Sequence, residues 1–149
     1  MRKESIRIIA TFFYMGYCPI ASGSLASLAG VLLYMAVSLS LPLYLFFLTL
    51  VTVLGFWAAG KMEEVAGTKD PSCVVIDEVC GMMIACFMLP LSWPVMMTAY
   101  FLFRAFDMFK IYPAYKLEPL PGSVGIMMDD VVAGIYTNLI MHIALNLRG

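Results

Sequence analysis

Residues 8–60 read IIATFFYMGYCPIASGSLASLAGVLLYMAVSLSLPLYLFFLTLVTVLGFWAAG, a run of 53 positions without a single Asp, Glu, Lys or Arg. One bilayer crossing takes about 20 predominantly apolar residues, so this run is long enough for two. Pro42, in SLSLPLY, marks a tight turn and predicts spans near 25–41 and 43–60. The earlier part, YMGYCPIASGS (14–24), is rich in Gly, Pro and Ser. It reads as a loop or re-entrant segment, because irregular backbone at membrane depth has to be enclosed by protein. The first residues, MRKESIRIIATFFYMG, set basic groups before an apolar run in the manner of a signal peptide. No small-residue cleavage site closes that run, so we read it as a retained first segment.

Composition supports the same reading. The chain has 149 residues, which suits a single domain over 1–149. Hydrophobic residues make up 62% and charged residues 13%. Soluble domains average about 45–50% and about 25%. A soluble domain this small needs polar residues to cover a large relative surface, so lipid has to cover part of this one. The net charge of −1 removes any bulk electrostatic case for nucleic acid. Cys18, Cys73, Cys80 and Cys86 show neither CxxC nor zinc spacing and read as small buried hydrophobes. His142 is the only histidine, which excludes chemistry needing several, and it reads as a structural helix residue.

Beyond residue 60, KMEEVAGTKDPS (61–72) reads as a polar loop. A third helix is predicted near 75–89, followed by the turn LPLSWP and a fourth helix near 95–110. IYPAYKLEPLPGSVG (111–125) has too much Pro and Gly for a long helix, and the last helix falls near 126–147. The expected fold is all-α: a polytopic membrane protein forming a compact bundle of about five long helices, with an N-terminal re-entrant or interfacial segment. Arg2, Lys3, Arg7, Lys61, Lys69, Lys110 and Lys116 all fall on one side of that topology. Only Arg148 falls on the other. The positive-inside rule places the N-terminus and both longer loops in the cytoplasm, and so predicts a multi-pass protein of the inner, cytoplasmic membrane.

The ionisable residues then gather at the cytoplasmic end. Asp77 and Glu78 open the third helix, Arg104, Asp107 and Lys110 close the fourth, and Asp129 and Asp130 open the fifth. Acids at helix starts complement the dipole and cap free N–H groups. That accounts for one acid per helix, but poorly for two adjacent acids beside an apolar run. Intramembrane ionisable residues are functional candidates by default. Neighbouring helix positions diverge by about 100°, so one acid of each pair is expected to face the site and the other to support it. Arg104, Asp107 and Lys110 share a face at spacings of three. An internal ion pair explains them, and so does a phosphate clamp held by a carboxylate. Gly81 and Gly134 follow the acidic pairs and read as close helix packing. Several carboxylates without clustered histidine or thiolate suit a hard cation such as Mg²⁺. With Arg and Lys added, the pattern points to phosphoryl transfer or phosphomonoester hydrolysis at a membrane surface.

Three blocks carry a resemblance: CPIASGSLASL (18–28), DPSCVVIDEVCGM (70–82), and FRAFDMFK with GIMMDDVVAG (103–110 and 125–134). In order and content they resemble the phosphatidylglycerophosphatase A family. Ser22 stands where that family usually has proline, Ser24 replaces threonine, Ala26 replaces glycine, and Ile111 replaces the proline after Lys110. The acidic and basic motif positions are intact. The resemblance implies an all-helical fold and Mg²⁺-dependent hydrolysis of the terminal phosphate of phosphatidylglycerophosphate, a phospholipid substrate held in the membrane. No protein partner is implied. On this reading Asp77, Glu78, Asp107 and Asp130 are the metal ligands. Glu78 is either one of them or stands behind with Asp129, either acting as base. Asp77, Asp129 and Asp130 are the catalytic carboxylates. Arg104, Lys110 and Ser24 bind the phosphate, and Asp70 contributes from its loop or serves a turn.

Two rival functions share some of these features. Another phospholipid phosphatase or phosphotransferase would keep the carboxylates; a nucleotide-using one would need a second site, and no GxxxxGK loop is present. A small divalent-cation carrier would spread polar groups through the depth of the bundle, whereas here they collect at one end.

Overall fold

The computed structural model describes residues 3–149; Met1 and Arg2, the latter one of the charges counted for topology, lie outside the described residues. Among those described there are helices and turns and no strand. The helices are α1 (Lys3–Ala10), α2 (Ser22–Val37), α3 (Leu41–Ala66), α4 (Ile76–Ala85), α5 (Trp93–Phe109), α6 (Ala114–Leu117) and α7 (Ser123–Arg148), with a 3₁₀ turn at Met15–Tyr17. The all-α expectation holds, with five helices of ten or more residues and two short ones.

Helix ends follow local chemistry. Pro42 and Pro94 sit in the first turns of α3 and α5, where a missing N–H costs nothing. Gly67 ends α3 in the left-handed conformation, at φ 67°. That stop corrects the sequence reading of 61–72 as loop: Lys61–Ala66 continue α3. Polarity there signals exposure rather than loss of helix, and Lys61 pairs with Glu64 one turn on at 2.9 Å. The start of the second segment is corrected too, because α2 begins at Ser22, so Ser22–Ser24 form its first turn rather than a loop. The third helix is shorter than read; α4 closes at Ala85 and the chain turns through 86–92.

α4 is the hub. Eight of its ten residues are buried, and it packs chiefly on α7 and α2, with α3 and α5 adding contacts. A helix buried on nearly every side belongs in a core. At ten residues it is too short to cross a bilayer. α4 meets α7 through paired glycines. A Cβ on Gly81 would lie 2.6 Å from the carbonyl oxygen of Asp130, and one on Gly134 would overlap the carbonyl of Gly81. The packing read from these two glycines is therefore what the fold uses. At the far end, where α4 leaves its last carbonyls free, Asn138 donates to Ala85 O and Phe87 O, and His142 Nε2 bonds Phe87 O. His142 thus has the structural role expected of it. Cys80 and Cys86 are buried, while Cys18 and Cys73 are only partly so.

α3 and α7, at 26 residues each, are long and apolar enough to cross a membrane. Leu45, Phe46, Leu50 and Val53 on α3, and Leu139, Ile140 and Ile143 on α7, face outward. The first segment resolves into α1, whose Ile6 and Ala10 are buried while Lys3 and Glu4 are exposed, followed by an irregular connection.

Candidate active site

The starts of α2, α4 and α7 and the ends of α3 and α5 share one end of the bundle. Adjacent α4 and α7 both open there with acids. The carboxylates of Asp77, Glu78 and Asp130 each offer an oxygen within 4.8 Å of the other two. Asp77 and Asp130 are 8% and 2% exposed, burial that is costly for unpaired charge. Asp77 Oδ1, Glu78 Oε2 and Asp130 Oδ1 are enclosed without a hydrogen-bond partner. Three carboxylates close enough to share one ion, each with an orphaned oxygen, fit a hard cation.

One expectation is corrected here. Asp77 and Glu78 were to divide, one facing the site and one supporting it, yet both converge on Asp130. The first turn of α4 is wrapped by α2 on one side and α7 on the other, and both carboxyls bend into the space between. The second pair does divide. Asp130 joins the cluster, while Asp129 accepts its neighbour's N–H at 3.0 Å and faces Lys110.

Asp107 stands beside this group rather than in it. Its Oδ2 accepts from Arg104 Nη1 at 2.6 Å, one turn back on α5. Arg104 in turn abuts the start of α2: a Cβ on Gly23 would lie 3.4 Å from Arg104 Nη1 and 2.5 Å from Glu78 Oε1. Only glycine leaves that gap open. The helix it begins has Ala21 at its N-cap, with no side chain satisfying the first N–H groups. Ser24 lies in the same turn, partly buried, and its carbonyl accepts from Tyr100 Oη at 3.2 Å.

Lys110 is the left-handed C-cap of α5 and bonds two carboxylates, Glu118 at 2.7 Å and Asp129 at 3.4 Å. Burial alone would lower its pKa, but the bond to Glu118 and the charges of Asp129 and Glu118 outweigh it and hold the ammonium above the ordinary lysine value. Sequence reading passed over Glu118, an isolated acid in a Pro-rich connection with no helical spacing to betray it. Asp70 lies outside the cluster, exposed and in the left-handed region at φ 47°. In α4, burial raises the Asp77 carboxyl pKa well above the usual range, and the charge of Glu78 adds to it. Burial likewise raises Glu78, against the lowering effect of the Arg104 charge.

A helical bundle that buries a carboxylate trio beside a carboxylate-held guanidinium and an open helix start is an all-α protein with an acidic site of the kind that suits phosphate chemistry. The phosphatidylglycerophosphatase A family profile matches residues 8–145, and the chain belongs to that family. It is 35% identical over 140 residues to phosphatidylglycerophosphatase A of Haemophilus influenzae, covering 91% of this chain and 86% of that protein. Identity to phosphatidylglycerophosphatase A of Escherichia coli is 30% over 138 residues, covering 91% and 80%. A Bacteroides thetaiotaomicron protein that carries the provisional name phosphatidylinositol-3-phosphatase is 37% identical over 147 residues, covering 92% and 91%. No solved structure matches the chain.

Proposed function

We propose that this phosphatase releases the terminal phosphate of phosphatidylglycerophosphate to give phosphatidylglycerol, with Mg²⁺, as a multi-pass protein of the inner membrane whose site faces the cytoplasm. The observation that carries the reading is the trio of enclosed, unpartnered oxygens on Asp77, Glu78 and Asp130, set beside Arg104. Family membership supplies the phospholipid monoester as substrate class.

Asp77, Glu78 and Asp130 would hold the cation, with Asp107 adjoining. When bound, Mg²⁺ supplies Lewis-acid polarisation of the phosphoryl oxygens. Arg104, held in place by Asp107, grips the phosphate as a planar fork, and the free N–H groups around Gly23 and Ser24 receive its remaining oxygens. Asp129, outside the trio and paired with Lys110, takes the proton of the attacking water. The P–O bond to the glycerol carbon chain then breaks, and Asp129 passes that proton to the leaving alkoxide oxygen. Asp70, exposed and outside the cluster, serves the turn before α4. The clustering of charges at one end favours this enzyme over a cation carrier. Lys69, Lys110 and Lys116 at that end support a cytoplasmic orientation.

The name of the Bacteroides relative favours a second reading, in which the headgroup is a phosphorylated inositol. Phosphate release by purified protein from phosphatidylglycerophosphate and from phosphatidylinositol 3-phosphate, with Mg²⁺ and with chelator, separates the two. Expected is Mg²⁺-dependent release from the first substrate. Preference for the inositol lipid would replace the substrate, and equal rates in chelator would remove the metal.

A further inference from the structure

Residues Phe12, Phe13 and Tyr14 are left-handed in succession, at φ 43°, 56° and 67°. None is glycine, and each such residue costs roughly 1–2 kcal/mol against the right-handed alternative. The turn is nevertheless firmly built. Thr11, fully buried, accepts the Tyr14 N–H on its hydroxyl, and Gly16 N donates to Thr11 O. Gly16 is pressed so closely on the Cys73 carbonyl that no side chain fits there. Strain held this tightly calls for a use. What the turn achieves is to project Phe13, Tyr14, Tyr17 and Ile20 outward, 73%, 47%, 48% and 77% exposed, with Tyr14 and Tyr17 stacked at 6.2 Å.

A second patch stands at the same end of the bundle. Met108 and Phe109 in the last turn of α5, with Tyr112 and Tyr115 beyond it, are all about half exposed or more. Lys116 lies 5.1 Å from the Tyr112 ring centroid. Each patch adjoins the acidic site through its own chain. The first runs directly into the α2 turn that touches Glu78 and Arg104; the second brackets Lys110. Exposed apolar groups of this extent mark an interaction surface. Tyrosines mixed with phenylalanine and flanked by lysine have the composition of a bilayer interface, where rings sit among the headgroups and ammonium groups meet lipid phosphates. The other end of α5 carries the exposed Trp93. Sixteen residues, a rise of about 24 Å, set it apart from Phe109.

We infer that the two aromatic patches are a docking surface for the headgroup layer, seating the acidic site at interfacial depth, so that a lipid phosphate reaches Arg104 within the plane of the headgroups. The inference rests on the reading of the chain as a bilayer-spanning protein. The test introduces single tryptophans, Phe13→Trp or Phe109→Trp, in a Trp57→Phe, Trp93→Phe background. Each protein is reconstituted in phosphatidylcholine–phosphatidylglycerol vesicles brominated either near the acyl carbonyl or near the chain end. Both probes should be quenched at least about twofold more by the shallow bromines. Quenching by aqueous iodide with neither brominated lipid effective, stronger quenching by the deep bromines, or different depths for the two probes would each overturn it. Tyr17→Trp and Tyr115→Trp serve as replacement probes should either first variant fail to fold. Quenching is read without substrate. A protein that seats at this depth yet releases no phosphate would sink the functional reading alone.

Discussion

Arg104 carries the most at the scale of single residues. It pairs with Asp107 at 2.6 Å and stands against Gly23 and Glu78, where the proposed mechanism has it grip phosphate. Lysine in its place keeps the positive charge but loses the bidentate fork. Arg104→Lys is expected to lower kcat/KM by more than about tenfold, as expected when a group stabilising transferred charge is removed, while Tm moves little. Kinetics and melting on one preparation decide it; near-normal turnover with a large drop in Tm would leave Arg104 a structural partner of Asp107. The trio itself illustrates a different point. Three acids each leave an oxygen enclosed and unpaired, a burial that a proton or a bound cation relieves.

Among the elements, the α4–α7 contact sets the site. Asp77 and Glu78 come from one helix and Asp130 from the other, so their convergence depends on how closely the two backbones approach. Gly134 is seated on the carbonyl of Gly81, with no room for a Cβ. Gly134→Val is expected to force the helices apart, destabilising the fold by about 1–3 kcal/mol. It should also weaken Mg²⁺ protection against unfolding, since the carboxylates would no longer share one point. Denaturation in detergent, with and without Mg²⁺, measures both; unchanged values would show that the contact has slack. The connection 111–122 acts at this scale as well. It delivers Glu118 to Lys110 and is tied down by Lys69, which donates to Pro119 O at 2.7 Å.

Over the whole molecule, the buried acids govern stability against pH. Burial and mutual repulsion raise the Asp77 carboxyl, and burial raises Glu78, so the fold holds protons that the unfolded chain releases near pH 4. The contribution of these acids to the stability of the metal-free protein is therefore fully present below that pH and is lost as pH rises through their folded-state values. Its Tm in chelator is therefore expected to fall between about pH 4 and neutrality. Mg²⁺ should reverse the trend, because the cation binds the deprotonated form. Melting curves across pH, with and without Mg²⁺, test this; a metal-free Tm that climbs over the same range would contradict it.

The sequence by itself determined the all-helical class, the approximate helices and the gathering of charge at one end. Those properties are local: an uncharged run, proline and glycine punctuation, and alternation of direction along the chain are all written in neighbouring residues. Arg104–Asp107 was legible for the same reason, being one helical turn apart. The structure decided the rest. That α3 runs on through Lys61–Ala66 depended on Gly67 rather than on polarity. Both members of the Asp77–Glu78 pair turned inward because α2 and α7 enclose the start of α4. Gly23 became part of the site, and Glu118 became the partner of Lys110, through contacts between segments 55 and 8 positions apart in the chain. Helical periodicity fixes which way a side chain points from its own axis. Only the packing of one helix on another fixes what it meets.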